Sequence, residues 1–122
     1  MTWEFKPDRP IYQQLVEQIE LRIVSGTYPP GEKLPSVREL AAQAAVNPNT
    51  MQKALAELER QGLVYTQRTA GRYITQYKEL LQNAKDNLAR EQIQEFFQKM
   101  RQLGYSETET LSLLTSAAKE RG

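Results

Sequence analysis

The sequence predicts a mainly α-helical chain with one small β-hairpin. Two short helices joined by a tight turn precede the hairpin, and two further helices follow it. Three observations carry this prediction. Residues 36–61 hold two amphipathic helical patterns, each opened by its own capping residue, Ser36 and Asn47. Next come two short β-rich runs, Leu63-Val64-Tyr65-Thr66 and Tyr73-Ile74-Thr75, separated by the loop Arg68-Thr69-Ala70-Gly71-Arg72. From Tyr77 the composition shifts to a long apolar helical repeat. Helix, turn, helix and hairpin is the layout of a winged helix-turn-helix, expected here over residues 1–76. Residues 77–122 then form a two-helix C-terminal dimerisation element.

The elements follow in order. Pro7 and Pro10 disfavour helix in the segment from Trp3 to Pro10, and Pro10 suits the first turn of the helix that begins at Ile11. Tyr12, Leu15, Val16, Ile19 and Ile23 recur at helical spacing, with Arg22 and the glutamates expected on the other face. Gly26 ends this helix, and Thr27-Tyr28-Pro29-Pro30-Gly31 is a rigid turn. Lys33 and Leu34 can form a short strand. Ser36 with Glu39 makes a capping box for the second helix, whose buried stripe is Val37, Leu40, Ala41 and Ala44. Val46 plugs the turn. Asn47 caps the third helix and Pro48 takes its first position, with Met51, Ala54, Leu55 and Leu58 pointing inward. Gln61-Gly62 stops it.

In the tail, Leu80, Leu81, Ala84, Leu88, Ile93, Phe96, Phe97, Met100 and Leu103 line one side of a helix roughly 25 residues long. Gly104 terminates it. Ser106 and Glu109 open a last helix carrying Leu111, Leu113, Leu114 and Ala117.

Composition narrows the function. The chain has 122 residues with neither cysteine nor histidine, which removes disulfides, thiolate nucleophiles, imidazole bases and the usual zinc ligands together. No metal site, cofactor or enzyme activity is expected. No apolar run is long enough for a bilayer and no signal pattern opens the chain, so no membrane association and a cytoplasmic location are expected. Net charge is only +1, but no acid falls between Glu59 and Glu79, while Arg60, Arg68 and Arg72 do. A local basic strip suffices for phosphate contact, because screening confines the interaction to ~10 Å. A merely solvated hairpin is the plainer alternative for that strip alone.

The third helix presents Asn49, Thr50, Gln52 and Lys53 at its start. Asn and Gln can bond bidentately to adenine, Lys can approach guanine, and Thr can touch a thymine methyl or a phosphate. Such residues also populate ordinary solvated faces. Arg38, at the start of the second helix, suits a phosphate clamp, with a surface ion pair as the alternative. Arg68 and Arg72 flank the hairpin tip, where Gly71 permits a tight turn or close backbone approach. The candidate DNA-contacting set also takes in the capping residues Ser36 and Asn47.

The sequence resembles the GntR family of bacterial transcription regulators over its first ~75 residues. The matching stretches are Pro10-Ile-Tyr-Gln-Gln-Leu, Gly26-Thr-Tyr-Pro-Pro-Gly-Glu-Lys-Leu-Pro-Ser-Val-Arg-Glu-Leu-Ala, Val46-Asn-Pro-Asn-Thr-Met-Gln-Lys-Ala-Leu and Leu58-Glu-Arg-Gln-Gly-Leu-Val-Tyr. The short helical tail resembles the YtrA subfamily of compact dimers. The resemblance implies DNA contacts at Arg38, Asn49, Thr50, Gln52 or Lys53, and around Arg68 to Arg72. It implies a regulator, in the main a repressor of transporter operons. The family's wing often reads Arg-Gly-X-Gly, whereas Thr69 stands here at the first glycine.

A partner copy follows from the tail, since burying each large apolar side chain is worth roughly 1.5–3 kcal/mol. The expected interface is Leu81, Leu88, Ile93, Phe96, Phe97, Met100, Leu111 and Leu114, with packing of the tail helices on each other as the alternative. A two-fold homodimer would read a palindromic operator with half-sites about 34–36 Å apart or a multiple of that. A small-molecule effector is a further possible partner, and a winged-helix module for protein–protein contact is the competing function.

Overall fold

The computed structural model describes residues 2–122. It divides into two compact units, Met1–Lys85 and Asp86–Gly122. In chain order the elements are α1 (Ile11–Val24), α2 (Val37–Ala44), α3 (Pro48–Arg60), β1 (Val64–Gln67), β2 (Gly71–Ile74), α4 (Lys78–Gln102) and α5 (Glu107–Arg121). Among the described residues, no helix is long and apolar enough to cross a membrane.

The first unit opens with an extended segment strapped onto α1. Gln14 is buried, and its amide satisfies three backbone groups of that strap. Its Oε1 accepts from the Lys6 amide at 2.7 Å, and its Nε2 donates to the Lys6 and Arg9 carbonyls at 2.9 Å each. Pro10 sits just ahead of the first turn, as the N-cap residue. Leu15, Ile19 and Ile23 of α1 are buried, as their spacing requires. Arg22 is not on the outer face with the glutamates. It is 3% exposed, and its guanidinium lies beneath the Trp3 ring.

α2 and α3 meet as the sequence indicates. Ser36 and Glu39 form the full capping box, with the Glu39 amide donating to Ser36 Oγ at 3.1 Å and the Ser36 amide to Glu39 Oε1 at 3.3 Å. The turn between the helices runs through Ala45 in left-handed conformation, φ 57°. The Val46 amide then bonds back to the Ala41 carbonyl at 3.0 Å, and the Val46 side chain packs against the core. Asn47 caps α3 through its Oδ1, which accepts from the Asn49 amide at 2.7 Å. Met51, Ala54, Leu55 and Leu58 are all buried.

Gly62, at φ +84°, ends α3 and turns the chain into β1, with the Leu63 amide reaching the Leu58 carbonyl at 3.0 Å. β1 and β2 are antiparallel, with Val64 opposite Ile74 and Thr66 opposite Arg72. The expected strand at Lys33 and Leu34 is realised as a single bridge from Lys33 to Tyr73, flanked by bonds that tie Glu32 and Leu34 to β2. The core gathers Leu15, Ile19, Leu40, Met51, Leu55, Leu58 and Ile74. Leu81 and Ala84, in the first part of α4, pack against it.

The second unit comprises the rest of α4 and all of α5. Gly104 ends α4, and Ser106 with Glu109 makes the second capping box. Thr110 is buried, its hydroxyl donating to the Ser106 carbonyl at 2.8 Å. The apolar side chains fare otherwise: Ile93, Phe96, Leu103, Leu111, Leu113 and Leu114 are all exposed, and Leu88, Phe97 and Met100 are half-buried. The apolar residues of α4 therefore do not share one environment, as the single-stripe reading expects.

Candidate nucleic-acid interface

Burial of Met51, Ala54, Leu55 and Leu58 rotates the rest of α3 outward. Asn49, Lys53, Ala56 and Arg60 follow at i, i+4, i+7 and i+11, so they form one solvent-facing stripe. Gln52 is exposed on one flank and Thr50 is half-buried on the other. The first turn of α3 carries no acid, so nothing opposes an approaching phosphate at the helix N-terminus. Asn47 is engaged as the cap, which leaves its carbonyl oxygen committed to the helix start. Ser36 is committed in the same way on α2.

Tyr12 of α1 joins Thr50, Lys53, Ala56, Glu57 and Arg60 along a groove of about 560 Å³. Arg60 is held there by Glu57 in a two-point pair, with Nε donating to Oε1 at 2.9 Å and Nη2 to Oε2. Gln61 donates to the same Oε2 at 2.8 Å. These bonds, Arg60's first and Gln61's second, lower the Glu57 carboxyl pKa to about 2. Tyr12 and Glu57 are additions that the sequence reading did not make. The spacing of Arg60 from Lys53 along one helix face is the signal that would have drawn attention to this edge.

A second groove, about 690 Å³, runs between the start of α2 and the hairpin. Its lining includes Lys33, Ser36, Glu39, Thr69, Gly71 and Arg72. Arg38 is exposed in the first turn of α2. Lys33 is the cation missed here. Its position in a single bridge to β2, distant in sequence from the tip, left no local signature.

The hairpin tip accommodates Thr69 without strain. The Ala70 amide closes the turn onto the Gln67 carbonyl at 3.1 Å, and Ala45 is the one non-glycine residue with positive φ among the described residues. Gly71 takes φ +97°, a conformation that costs an L side chain roughly 1–2 kcal/mol. Its part is backbone geometry. Arg68 is exposed, whereas the Arg72 side chain is 19% exposed and ion-paired with Glu59, Nε to Oε1 at 3.5 Å. The two wing arginines, equal in sequence, are therefore unequal in structure.

The family described as "Bacterial regulatory proteins, gntR family" matches residues 11–74, which include α1 to α3 and the hairpin. The chain belongs to the GntR family. Like its GntR relatives it is a DNA-binding transcription regulator and not an enzyme. The uncharacterized HTH-type transcriptional regulator YhcF of Bacillus subtilis (strain 168) is 44% identical, over 91% of this chain and 92% of the relative. The HTH-type transcriptional repressor YtrA of the same organism is 44% identical over 70% of this chain and 67% of its own length.

Solved GntR structures agree. A GntR family transcriptional regulator from Listeria monocytogenes superposes with a TM-score of 0.83 at 38% identity, covering 92% of this chain and 98% of that one. The DNA-binding domain of AraR in complex with operator ORX1 matches at TM-score 0.55 and 30% identity, over 62% of this chain and 99% of that one. Every candidate DNA-contacting residue, from Ser36 to Arg72, lies inside the stretch matched to the GntR family. The tail beyond residue 74 lies outside it.

Proposed function

We propose that this regulator is a homodimeric repressor that reads a palindromic operator through the first turns of α3. The observation that carries this reading is the stripe Asn49, Lys53, Ala56 and Arg60, opposite the buried face of α3 and without an acid in its first turn. Asn49, Gln52 and Lys53 meet base edges, Thr50 and Arg38 grip phosphates, and Arg68 at the wing tip reaches the flanking backbone. The repressor assignment draws support from the relative named as a repressor, YtrA, and the operator from the AraR complex. Transporter operons in the cytoplasm of the host are the proposed targets.

The dimer reading draws support from the second unit, whose apolar side chains at Ile93, Phe96, Leu103, Leu111 and Leu114 are exposed. Full burial of such a group is worth roughly 1.5–3 kcal/mol, and each forgoes the share that its exposed part represents. Leu81 drops out of the proposed self-association face because it packs on the core of the first unit. Leu88, Phe97 and Met100 stay in it. Functionally we divide the chain into a DNA-reading part, 1–76, and a dimerising part, 77–122, although the break between compact units falls at Lys85/Asp86.

Sequencing genomic fragments selected by the purified protein tests the whole reading. The expected product is an inverted repeat whose half-site centres lie about one helical turn, or a multiple of it, apart. Recovery of fragments with no shared motif would overturn the operator assignment.

A further inference from the structure

We propose that Glu59, in the last turn of α3, is a positioning residue that locks the wing to the recognition helix, and that Arg72 is the other half of that lock rather than a DNA contact. This rests on the reading that α3 and the wing tip engage DNA. A single carboxylate oxygen reaches both strands of the hairpin. Oε1 of Glu59 lies 3.5 Å from Arg72 Nε and also accepts a hydrogen bond from Thr66 Oγ1. Thr66 belongs to β1 and Arg72 to β2, and the two are opposite one another in the register. The helix end therefore grips the hairpin at one rung.

Burial of the arginine half separates this pair from an ordinary surface salt bridge, although the Glu59 side chain stays 41% exposed. Arg72 Nε is shielded from solvent, although its separation from Glu59 is that of an ion pair and not of a hydrogen bond. The Arg72 backbone is also tied, its carbonyl accepting from the Leu34 amide at 2.9 Å. An arginine so held presents a neutralised pair to an approaching phosphate. Arg68, exposed at the tip, carries no such partner in the described hydrogen bonds and ion pairs.

The lock has work to do because an isolated two-stranded hairpin is marginally stable in water. Glu59, which grips that rung, lies roughly 15 Å along the helix axis from Asn49, at the 1.5 Å rise per residue of an α-helix. Without it, the tip would have to be ordered on contact with DNA, at a cost in affinity. With it, Arg68 is delivered at a set distance from the reading face.

The test is a double-mutant cycle on the full chain, read by fluorescence anisotropy with a selected operator duplex across a salt series. Glu59→Gln and Arg72→Gln are each expected to weaken binding about two- to five-fold, and the double variant no further than the weaker single one. The slope of log K against log salt is expected to stay unchanged in Arg72→Gln. In Arg68→Gln it becomes shallower by about 0.9, the value of one phosphate contact. A shallower slope in Arg72→Gln, multiplying losses, or no loss in either single variant overturns the lock. An unchanged slope in Arg68→Gln overturns the wing-tip contact and leaves the lock to be judged from the cycle. Should Arg72→Gln fail to fold, Thr66→Val probes the same carboxylate from the other strand, with the same non-additivity expected against Glu59→Gln.

Discussion

The indole of Trp3 covers the guanidinium of Arg22, whose Cζ lies 3.6 Å from the ring centroid. Arg22 Nη1 donates to the Gln18 carbonyl at 3.1 Å, and Nη2 is buried without a hydrogen-bond partner among the described residues. Burial lowers the pKa of this guanidinium, and the Tyr28 phenol opposes the shift. The cation sits in the last turn of α1, where the helix dipole favours it. Trp3→Ala removes the cation–π contact and the apolar lid together. The expected loss is about 2 kcal/mol of unfolding free energy in urea titration. A loss below about 0.5 kcal/mol would show that the ring contributes nothing.

Ala45 closes the turn between α2 and α3 in the left-handed region, φ 57°. A Cβ there costs roughly 1–2 kcal/mol, part of which glycine gives back through its more flexible unfolded chain. Ala45→Gly is therefore expected to stabilise the protein by about 0.5–1 kcal/mol, with operator affinity unchanged. A lowered melting temperature would contradict the strain argument.

Glu57 keeps its charge far into acid, because Arg60 and then Gln61 hydrogen-bond its carboxylate and hold its pKa at about 2 instead of the usual 4.5. The folded pKa is the depressed one, so the stabilisation is fully present above about 4.5. It is lost as pH falls towards 2. Carbon-detected NMR titration should find this midpoint near 2, and Arg60→Gln should return it towards 4.5. An ordinary midpoint in the parent protein would mean that the Glu57–Arg60 pair is not held in solution.

Phe96 and Leu114 lie exposed in the second unit. Replacing both with aspartate is expected to convert a dimer to a monomer in sedimentation velocity. Loss of the second half-site should then weaken binding to an inverted repeat on the order of 10²-fold, the avidity of a linked second contact. A parent protein that sediments as a monomer with tight operator binding would end the dimer reading.

Much of the fold was legible because its signals are local. Ser36 with Glu39, and Ser106 with Glu109, declare helix starts within three residues, and both boxes form. The inward stripes of α2 and α3 follow from a period of 3.6. The solvent-facing residues of α3 are legible as the complement of that stripe. Less could be read where the partner lies far along the chain. Arg22 was placed outside on its charge alone, while the group that lets it lie inside, Trp3, is on a different segment. Leu81 belongs to the same apolar pattern as Ile93, yet it packs inward in the first unit. Helical periodicity says that a residue is apolar on a face; it does not say what covers that face.

By itself the sequence determined the order of helices and strands, their caps, the inward face of α3 and the chemistry of its outward one. Each of these is set by residues a few positions apart, through steric preference and hydrogen bonds to neighbouring backbone. Only the tertiary structure decided that Arg68 stays free while Arg72 is held by Glu59. That outcome depends on the strand register, in which a slip of one residue would turn Arg72 to the opposite face of the hairpin.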